Sequence, residues 1–459
     1  MQQDSNASQA TDLMEVDLTN LGNDYLVGGV TSGWNNFKET GKLIVSEAYG
    51  CKIKDVKGTE YIDWIMGWGS LLLGHNPESV INAIQDTFTS GFAYQYESPL
   101  SALLAKEICD AIPCADKVRL ANSGTEATLH SVRVARKATG RKKIVKFEGH
   151  FHGLNDYLLY GVDCSPEMGS FEPDGNITPM AGSEGLPDET LKELIYVLPF
   201  NDVNALENVF KHHGHEIAGV ILEPISLNIG CIRPDDNFLK TLRDICDMHG
   251  ALLIFDEVLT GFRVALGGAG ELFGVNPDLV CLGKALGCGA PVAALAGKSD
   301  YMNLLKPSGN VEMAGTNTGR QMTVASALAA IRELKKPGFY EKLRNLNKMT
   351  IEGCIQLFER YKIPAYVEGF GGRIGIHIGT ESRPRNFREV VNTWNQSFHL
   401  ACYRKAFYEK GLFGFLLPLT ICPEPITLSI AHTDNDINET LNRFEDILQN
   451  IPYKNERGV

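Results

Sequence analysis

DNFLKTLRDICDMHGALLIFDE, residues 236–257, decides the fold class. Its first part places Phe238, Leu242, Ile245 and Cys246 on one face of a helix, and Gly250 offers the left-handed stop that such a helix needs. The next stretch, Ala251–Phe255, is an unbroken apolar run of strand length, without the alternation of a half-wetted sheet. An amphipathic helix leading straight into a strand that is apolar on both faces is a unit of a parallel sheet covered by helices. Runs of the same kind recur at Lys117–Ala121, Lys143–Phe147, Gly219–Glu223 and Leu279–Leu282. The chain is therefore expected to be an α/β protein with a mostly parallel central sheet.

Upstream, LIVSEAYGCKIKDVKGTEYIDW (43–64) alternates apolar and polar residues around Gly50 and Gly58, the pattern of short antiparallel strands with tight turns. NPESVINAIQDTF (76–88) starts a helical repeat with Asn76 or Ser79 as the capping candidate. Downstream, Val324, Leu328, Ile331 and Leu334 define a helix that begins near Thr323 and is closed by Pro337-Gly338. The expected organisation is a tail over 1–24, the first part of a small domain over 25–75, a large domain over 76–322 and the rest of the small domain over 323–459. The stretch 161–189 is rich in Gly, Pro, Ser and acidic residues and has little periodicity. It reads equally as a surface insertion or as a lid over a site.

Charge and composition exclude whole classes of function. The 459 residues carry 43 Lys and Arg against 56 Asp and Glu, a net charge of −13, which suits neither nucleic acid nor an anionic membrane as partner. No apolar run reaches membrane-spanning length, and the polar, acidic N-terminus is not a signal peptide. Eleven cysteines scattered along the chain do not form a disulfide framework. A cytoplasmic protein with reduced thiols is expected.

Three short motifs can carry chemistry. Ala121-Asn-Ser-Gly-Thr-Glu-Ala127 lies between a strand and a helix, where free amides, the helix dipole and two hydroxyls can hold a phosphate. On its own it reads more readily as a plain cap made by Ser123 or Thr125. Asp256-Glu257 ends a strand at the edge where parallel sheets bind ligands, although Glu257 could equally be a solvated charge. In Cys281-Leu-Gly-Lys-Ala-Leu-Gly-Cys-Gly289 a lysine sits among small and apolar neighbours, where desolvation makes its amine a nucleophile. A lone lysine at a strand end more often reaches the surface. No metal site is expected, since Cys281 and Cys288 lack histidine company and His212-His213-Gly214-His215 reads as a solvated helix end. Taken together, a lysine, a carboxylate and a phosphate-binding helix start are what a pyridoxal 5′-phosphate enzyme supplies.

From about Gly28 to Leu448 the chain resembles the class III (subgroup II) aminotransferases of pyridoxal-phosphate fold type I, in the branch of glutamate-1-semialdehyde 2,1-aminomutase. The motifs are Asn122-Ser-Gly-Thr-Glu-Ala, Glu148-Gly-His-Phe-His-Gly153, Glu223-Pro224, Phe255-Asp-Glu-Val-Leu-Thr-Gly-Phe-Arg263, Leu282-Gly-Lys-Ala-Leu-Gly287 and Ala314-Gly-Thr316. Lys284 follows Asp256 by 28 residues and precedes Thr316 by 32. The resemblance implies a large domain with a mostly parallel sheet and a smaller α+β domain made from both chain ends. It implies that Lys284 holds the cofactor as an aldimine and carries protons, while Asp256 pairs with the pyridine nitrogen. Ser123, Gly124 and Thr125 would bind the phosphate, joined by Gly315 and Thr316 from the other subunit of a homodimer. Asn228, near Glu223, would contact the ring hydroxyl. Phe151 would stack on the ring where relatives usually have tyrosine, flanked by His150 and His152. Ser32, Trp34, Asn35, Trp68 and Glu424 fall near the substrate, and 161–189 falls where relatives carry a gate. Arg263 could be a structural ion-pair partner or a carboxylate binder.

One departure bears on the substrate. Asn35 stands where the aminomutase branch has an arginine for the substrate carboxylate, and an amide offers neither charge nor a bidentate fork. The expected activity is transfer of an amino group from a primary amine, or a β- or ω-amino acid, to a 2-oxo acid such as pyruvate. The alternatives are an intramolecular aminomutase acting on glutamate-1-semialdehyde or a related amino aldehyde, and a non-catalytic binding protein that keeps the fold.

Overall fold

A computed structural model describes residues 18–91, 94, 96–162, 168–187, 193–419 and 421–454. The alternating stretch 43–64 forms an antiparallel meander of β1 (Val45–Tyr49), β2 (Lys52–Asp55) and β3 (Glu60–Asp63). The apolar runs then build a seven-stranded sheet from β4 (Lys117–Ala121), β5 (Lys143–Phe147), β6 (Ile195–Leu198), β7 (Ile217–Leu222), β8 (Leu252–Glu257), β9 (Leu279–Leu282) and β10 (Ala293–Gly297). Their spatial order is β4-β10-β9-β8-β7-β5-β6. Only β10 runs against the others, because the chain turns back after β9 through the short segment that carries Lys284.

Period-two alternation divides this sheet's side chains between two cores. Val220, Leu222, Leu253, Phe255, Val280 and Leu282 pack on one face with the helices Phe238–His249 and Gln321–Leu334. Ile221, Leu252, Ile254, Leu279 and Cys281 pack on the other, against the helix Gly124–Thr139. Gly250 ends its helix in the left-handed conformation, as the sequence predicts.

The last third of the chain adds β11 (Ala365–Phe370) and β12 (Arg373–Ile378), then β13 (Leu412–Phe413), which pairs with β3, and β14 (Ile426–Thr427), which pairs with β12. A separate core joins Ile62 and Trp64 to Leu346, Ile374, Phe415 and Phe444, so both ends of the chain contribute to it. The helix expected from Thr323 runs over Gln321–Leu334 and packs in the large-sheet core.

Two local expectations need correction. Neither Asn76 nor Ser79 caps the helix Glu78–Ser90: Pro77 holds that position, and Asn76 donates its side-chain amide to the Ala48 carbonyl at 2.7 Å. The stretch 161–189 is not free of structure where it is described. Ile177 is buried and donates its amide to Val197 at 2.7 Å, and the Gly169 carbonyl accepts from Arg388. Residues 163–167 and 188–189 of the expected lid, like residues 1–17 of the expected tail, lie outside the described residues. No helix among the described residues is long and apolar enough to cross a membrane.

Candidate active site

The carboxyl ends of β4, β7, β8 and β9 lie along one edge of the sheet, where open α/β folds bind ligands. At the end of β4 the chain enters the helix Gly124–Thr139, capped by Ser123, whose hydroxyl accepts the Glu126 amide at 3.2 Å. Thr125, the other capping candidate, instead accepts the Leu154 amide at 3.2 Å. This helix crosses over β10, β9, β8 and β7, which carries its positive end toward the middle of the sheet. The approach is close: a Cβ on Gly124 would lie 2.9 Å from Val258 Cγ2, so any larger residue would have to displace Val258.

Asp256 and Glu257 are neighbours at the end of β8 and point to opposite faces. Asp256 faces the cavity, shares a hydrogen bond of 2.7 Å with His152 Nδ1 and accepts the Val258 amide at 3.1 Å. Burial pushes its carboxyl up to about 7. Glu257, open in sequence to a solvated reading, is buried and structural. It accepts the amides of Ala269 (2.6 Å) and Gly270 (3.1 Å) and the Thr260 hydroxyl (2.9 Å), and so secures the short helix Gly268–Phe273.

Lys284 follows β9 with a left-handed backbone, φ 44°. In register, Asp256 lies beside Cys281 and Glu257 beside Leu282, so the lysine leaves the sheet just past the level of the aspartate. Burial lowers its ammonium to about 8; Arg373 acts in the same direction, while Glu424, Glu223 and Asp256 oppose it. Glu223, just beyond β7, accepts the Phe151 amide at 3.0 Å and the Asn228 side chain at 2.9 Å through Oε1. Its Oε2 is buried without a partner, and burial, aided by the charge of Asp256, pushes this carboxyl up to about 7. His150 accepts the Glu223 amide at 3.1 Å but does not line the cavity, whereas His152 does. Burial holds both imidazoles well below their ordinary range.

These groups surround one cavity of about 430 Å³. Lys284, Asp256, Glu223 and Asn228 line it, together with Ser123, Gly124, Thr125, Phe151 and His152. Trp34, Trp68 and Glu424 also line it, with the Trp34 ring 5.9 Å from Trp68 and 5.3 Å from Phe151. Two residues expected near the substrate are not brought there, and the two expected to serve the other subunit lie outside this chain's own cavity. Ser32 and Asn35 are exposed, and the Asn35 amide is turned to Thr31 Oγ1 at 3.3 Å. Gly315 and Thr316 are also exposed, in a turn that Asn122 fixes by donating to Thr318 Oγ1 at 3.2 Å.

Two buried arginines complete the surroundings. Arg373, 1% exposed, donates to Glu424 at 2.6 Å, to Thr427 Oγ1 at 2.9 Å and to the Leu227 carbonyl at 3.1 Å. Sequence reasoning missed it; the available signal was an arginine opening RIGIHI, a run that is otherwise apolar apart from His377. Arg263 is no carboxylate binder. It donates to the carbonyls of Gly69 (2.6 Å) and Gly371 (2.8 Å), which fixes the turn presenting Trp68.

The residues present fit pyridoxal phosphate. Asp256 is a buried carboxylate positioned to meet a protonated ring nitrogen, Glu223 Oε2 is an unpartnered acceptor, and Lys284 is a lysine shifted toward its neutral form. Residues 35–448 match the class-III aminotransferase family, and the chain belongs to that family. It is 40% identical over 429 residues to a glutamate-1-semialdehyde 2,1-aminomutase of Persephonella marina, covering 93% of this chain and 96% of the relative. Among solved structures, an omega-transaminase from Sphaerobacter thermophilus superposes with a TM-score of 0.86 at 27% identity, over 94% of this chain and 96% of the other. A transaminase solved with pyridoxal phosphate bound superposes with a TM-score of 0.82 at 25% identity and the same coverage. The fold is pyridoxal-phosphate fold type I, and the cofactor is pyridoxal 5′-phosphate.

Proposed function

We propose that the protein relocates amino groups, with Lys284, Asp256 and the helix start at Ser123-Gly124-Thr125 as its machinery. The observation that carries this reading is one cavity holding both a lysine lowered to about 8 and a buried aspartate. When bound, the cofactor supplies a carbonyl that takes an amine covalently and a ring that accepts the electron pair released at the neighbouring carbon. Asp256, held in place by His152 and the Val258 amide, keeps a proton on the ring nitrogen through its charge. Lys284 would hold the cofactor through its Nζ and, once free, that amine would be the base placed to move a proton at the carbon bearing the substrate amine. The Gly124 and Thr125 amides hold the phosphate.

Between the two outcomes of this chemistry, the sequence relatives favour the intramolecular one, in which a single amino aldehyde is both donor and acceptor. Transfer from an amine to a separate 2-oxo acid is the second reading. It is supported by the likeness to an omega-transaminase and by Asn35 in place of a carboxylate-binding arginine. Incubating the holoprotein with pyruvate and either an amine or glutamate-1-semialdehyde separates them. Accumulation of alanine supports transfer. An amino aldehyde rearranged with little alanine supports the aminomutase, and neither product from cofactor-loaded protein supports the non-catalytic alternative.

We also read the protein as a cytoplasmic homodimer in which Gly315 and Thr316 serve the partner's cavity. Their exposure, outside their own chain's cavity, supports this.

A further inference from the structure

We propose that the substrate presents an apolar, ring-bearing group and no carboxylate to a wall made by Trp34 and Trp68, and that Trp34 determines this preference. The proposal rests on the amino-transfer reading above.

The first support is charge. Among the described residues, Lys284 is the sole cation lining the cavity, against the carboxylates Asp256, Glu223 and Glu424. Lys284 is committed to the cofactor. Arg373 does not line the cavity: it pairs with Glu424 and also donates to Thr427 and the Leu227 carbonyl, while its Nε is buried without a partner. A carboxylate carried at the far end of the amine, against Trp34 and Trp68, would find no cation there among the described residues, and an unpaired anion taken out of water is strongly disfavoured. The residue that could have supplied a counter-charge is Asn35, and its amide is turned away to Thr31.

The second support is the built character of the aromatic wall. Trp68 has a left-handed backbone, φ 55°, which a bulky residue adopts only when its surroundings impose it. Here they do: Arg263 grips the Gly69 carbonyl at 2.6 Å, and the Gly69 amide returns to Ile65 at 3.2 Å. Trp34 is placed with comparable care. It sits in the short turn Gly33–Asn35, which the Asn35 backbone amide closes by donating to the Ser32 carbonyl at 2.9 Å, and its ring packs on Trp68 and Phe151. Yet Trp34 remains 50% exposed, an apolar ring at the cavity wall with one side uncovered. A ring on the substrate can pack against it edge-to-face, as Phe151 already does.

The test compares 3-phenylpropylamine with 5-aminopentanoate, an amine of similar reach that ends in a carboxylate. Each is titrated into the holoprotein while its yellow cofactor absorbance is followed. Quenching of tryptophan fluorescence by 3-phenylpropanol, which has no amine, reports binding independently of the chemistry. The expected result is half-saturation by the phenyl amine at roughly tenfold lower concentration. Trp34→Ala should remove that advantage and reduce the quenching, Trp34→Phe should keep it, and Trp34→Arg should shift the preference toward the acid. Equal or tighter binding of 5-aminopentanoate by the unaltered protein overturns the substrate class alone. If neither amine changes the absorbance and 3-phenylpropanol does not quench, this proposal falls; the amino-group reading falls only if neither alanine nor a rearranged amino aldehyde forms in the incubation with pyruvate.

Discussion

Lys284 and Asp256 are ordinary residues given unusual properties by the edge at which their strands end. Because burial brings the Lys284 ammonium down to about 8, the neutral amine that attacks a carbonyl becomes available near that pH. Below it the amine is protonated and inert. Covalent capture of pyridoxal phosphate by the apoprotein should therefore speed up as pH rises through about 8. Stopped-flow absorbance over a pH series checks this, and a midpoint near the ordinary lysine value of 10.5 would be inconsistent with it. The two carboxylates of β8 should respond oppositely to substitution. Asp256→Asn should keep the fold and lose on the order of 10²–10³ in kcat, the scale of removing one preorganised electrostatic contact. Glu257→Ala should keep cofactor binding and lose about 1–3 kcal/mol of stability, because it leaves buried donors unpaired. Comparable loss of activity in both variants, at unchanged melting temperature, would contradict this division. At this scale the motifs around residues 123, 256 and 284 were legible, because each packs its chemistry into a few consecutive residues. The fate of Glu257 and the pairing of Arg373 with Glu424 were not. Glu257 depends on a helix start 12 residues on, and the Arg373–Glu424 pair on a segment that returns 51 residues later, so neither is visible in a local motif.

Elements place those side chains, and some contacts between elements tolerate no added atom. A Cβ on Gly375 in β12 would lie 1.8 Å from the Gly230 carbonyl oxygen, on the loop that also carries Asn228. Gly375→Ala should fail to give soluble holoprotein, or should lose several degrees of melting temperature together with cofactor affinity. A variant that melts like the parent would show that this loop does not rest on β12. The strands of the central sheet were legible where burial on both faces leaves an unbroken apolar run, as at Leu279–Leu282. Ala293–Gly297 was missed because AALAG has small residues of low strand propensity, and its place between β4 and β9 is imposed by the turn at Lys284. The two-residue strands β13 and β14 have no local signature at all.

For the whole molecule, a net charge of −13 means that bulk charge does not attract the cofactor phosphate, which suits its proposed binding by helix-start amides. A shared site makes a further prediction. Lys284→Ala and Gly315→Glu should each be inactive alone, and a mixture refolded together should recover about one quarter of the parent activity. Half the dimers are then mixed, and each holds one intact site. No recovery in a verified heterodimer would mean that each chain is sufficient for its own cavity. The most direct measurement for the account as a whole is reduction of the holoprotein with borohydride, followed by peptide mapping. The predicted result is a single phosphopyridoxyl group on the peptide containing Lys284, absent in Lys284→Ala. Its recovery on another lysine, or on none, would contradict the central claim that this cavity, with Lys284 at the sheet's carboxyl edge, is the catalytic centre.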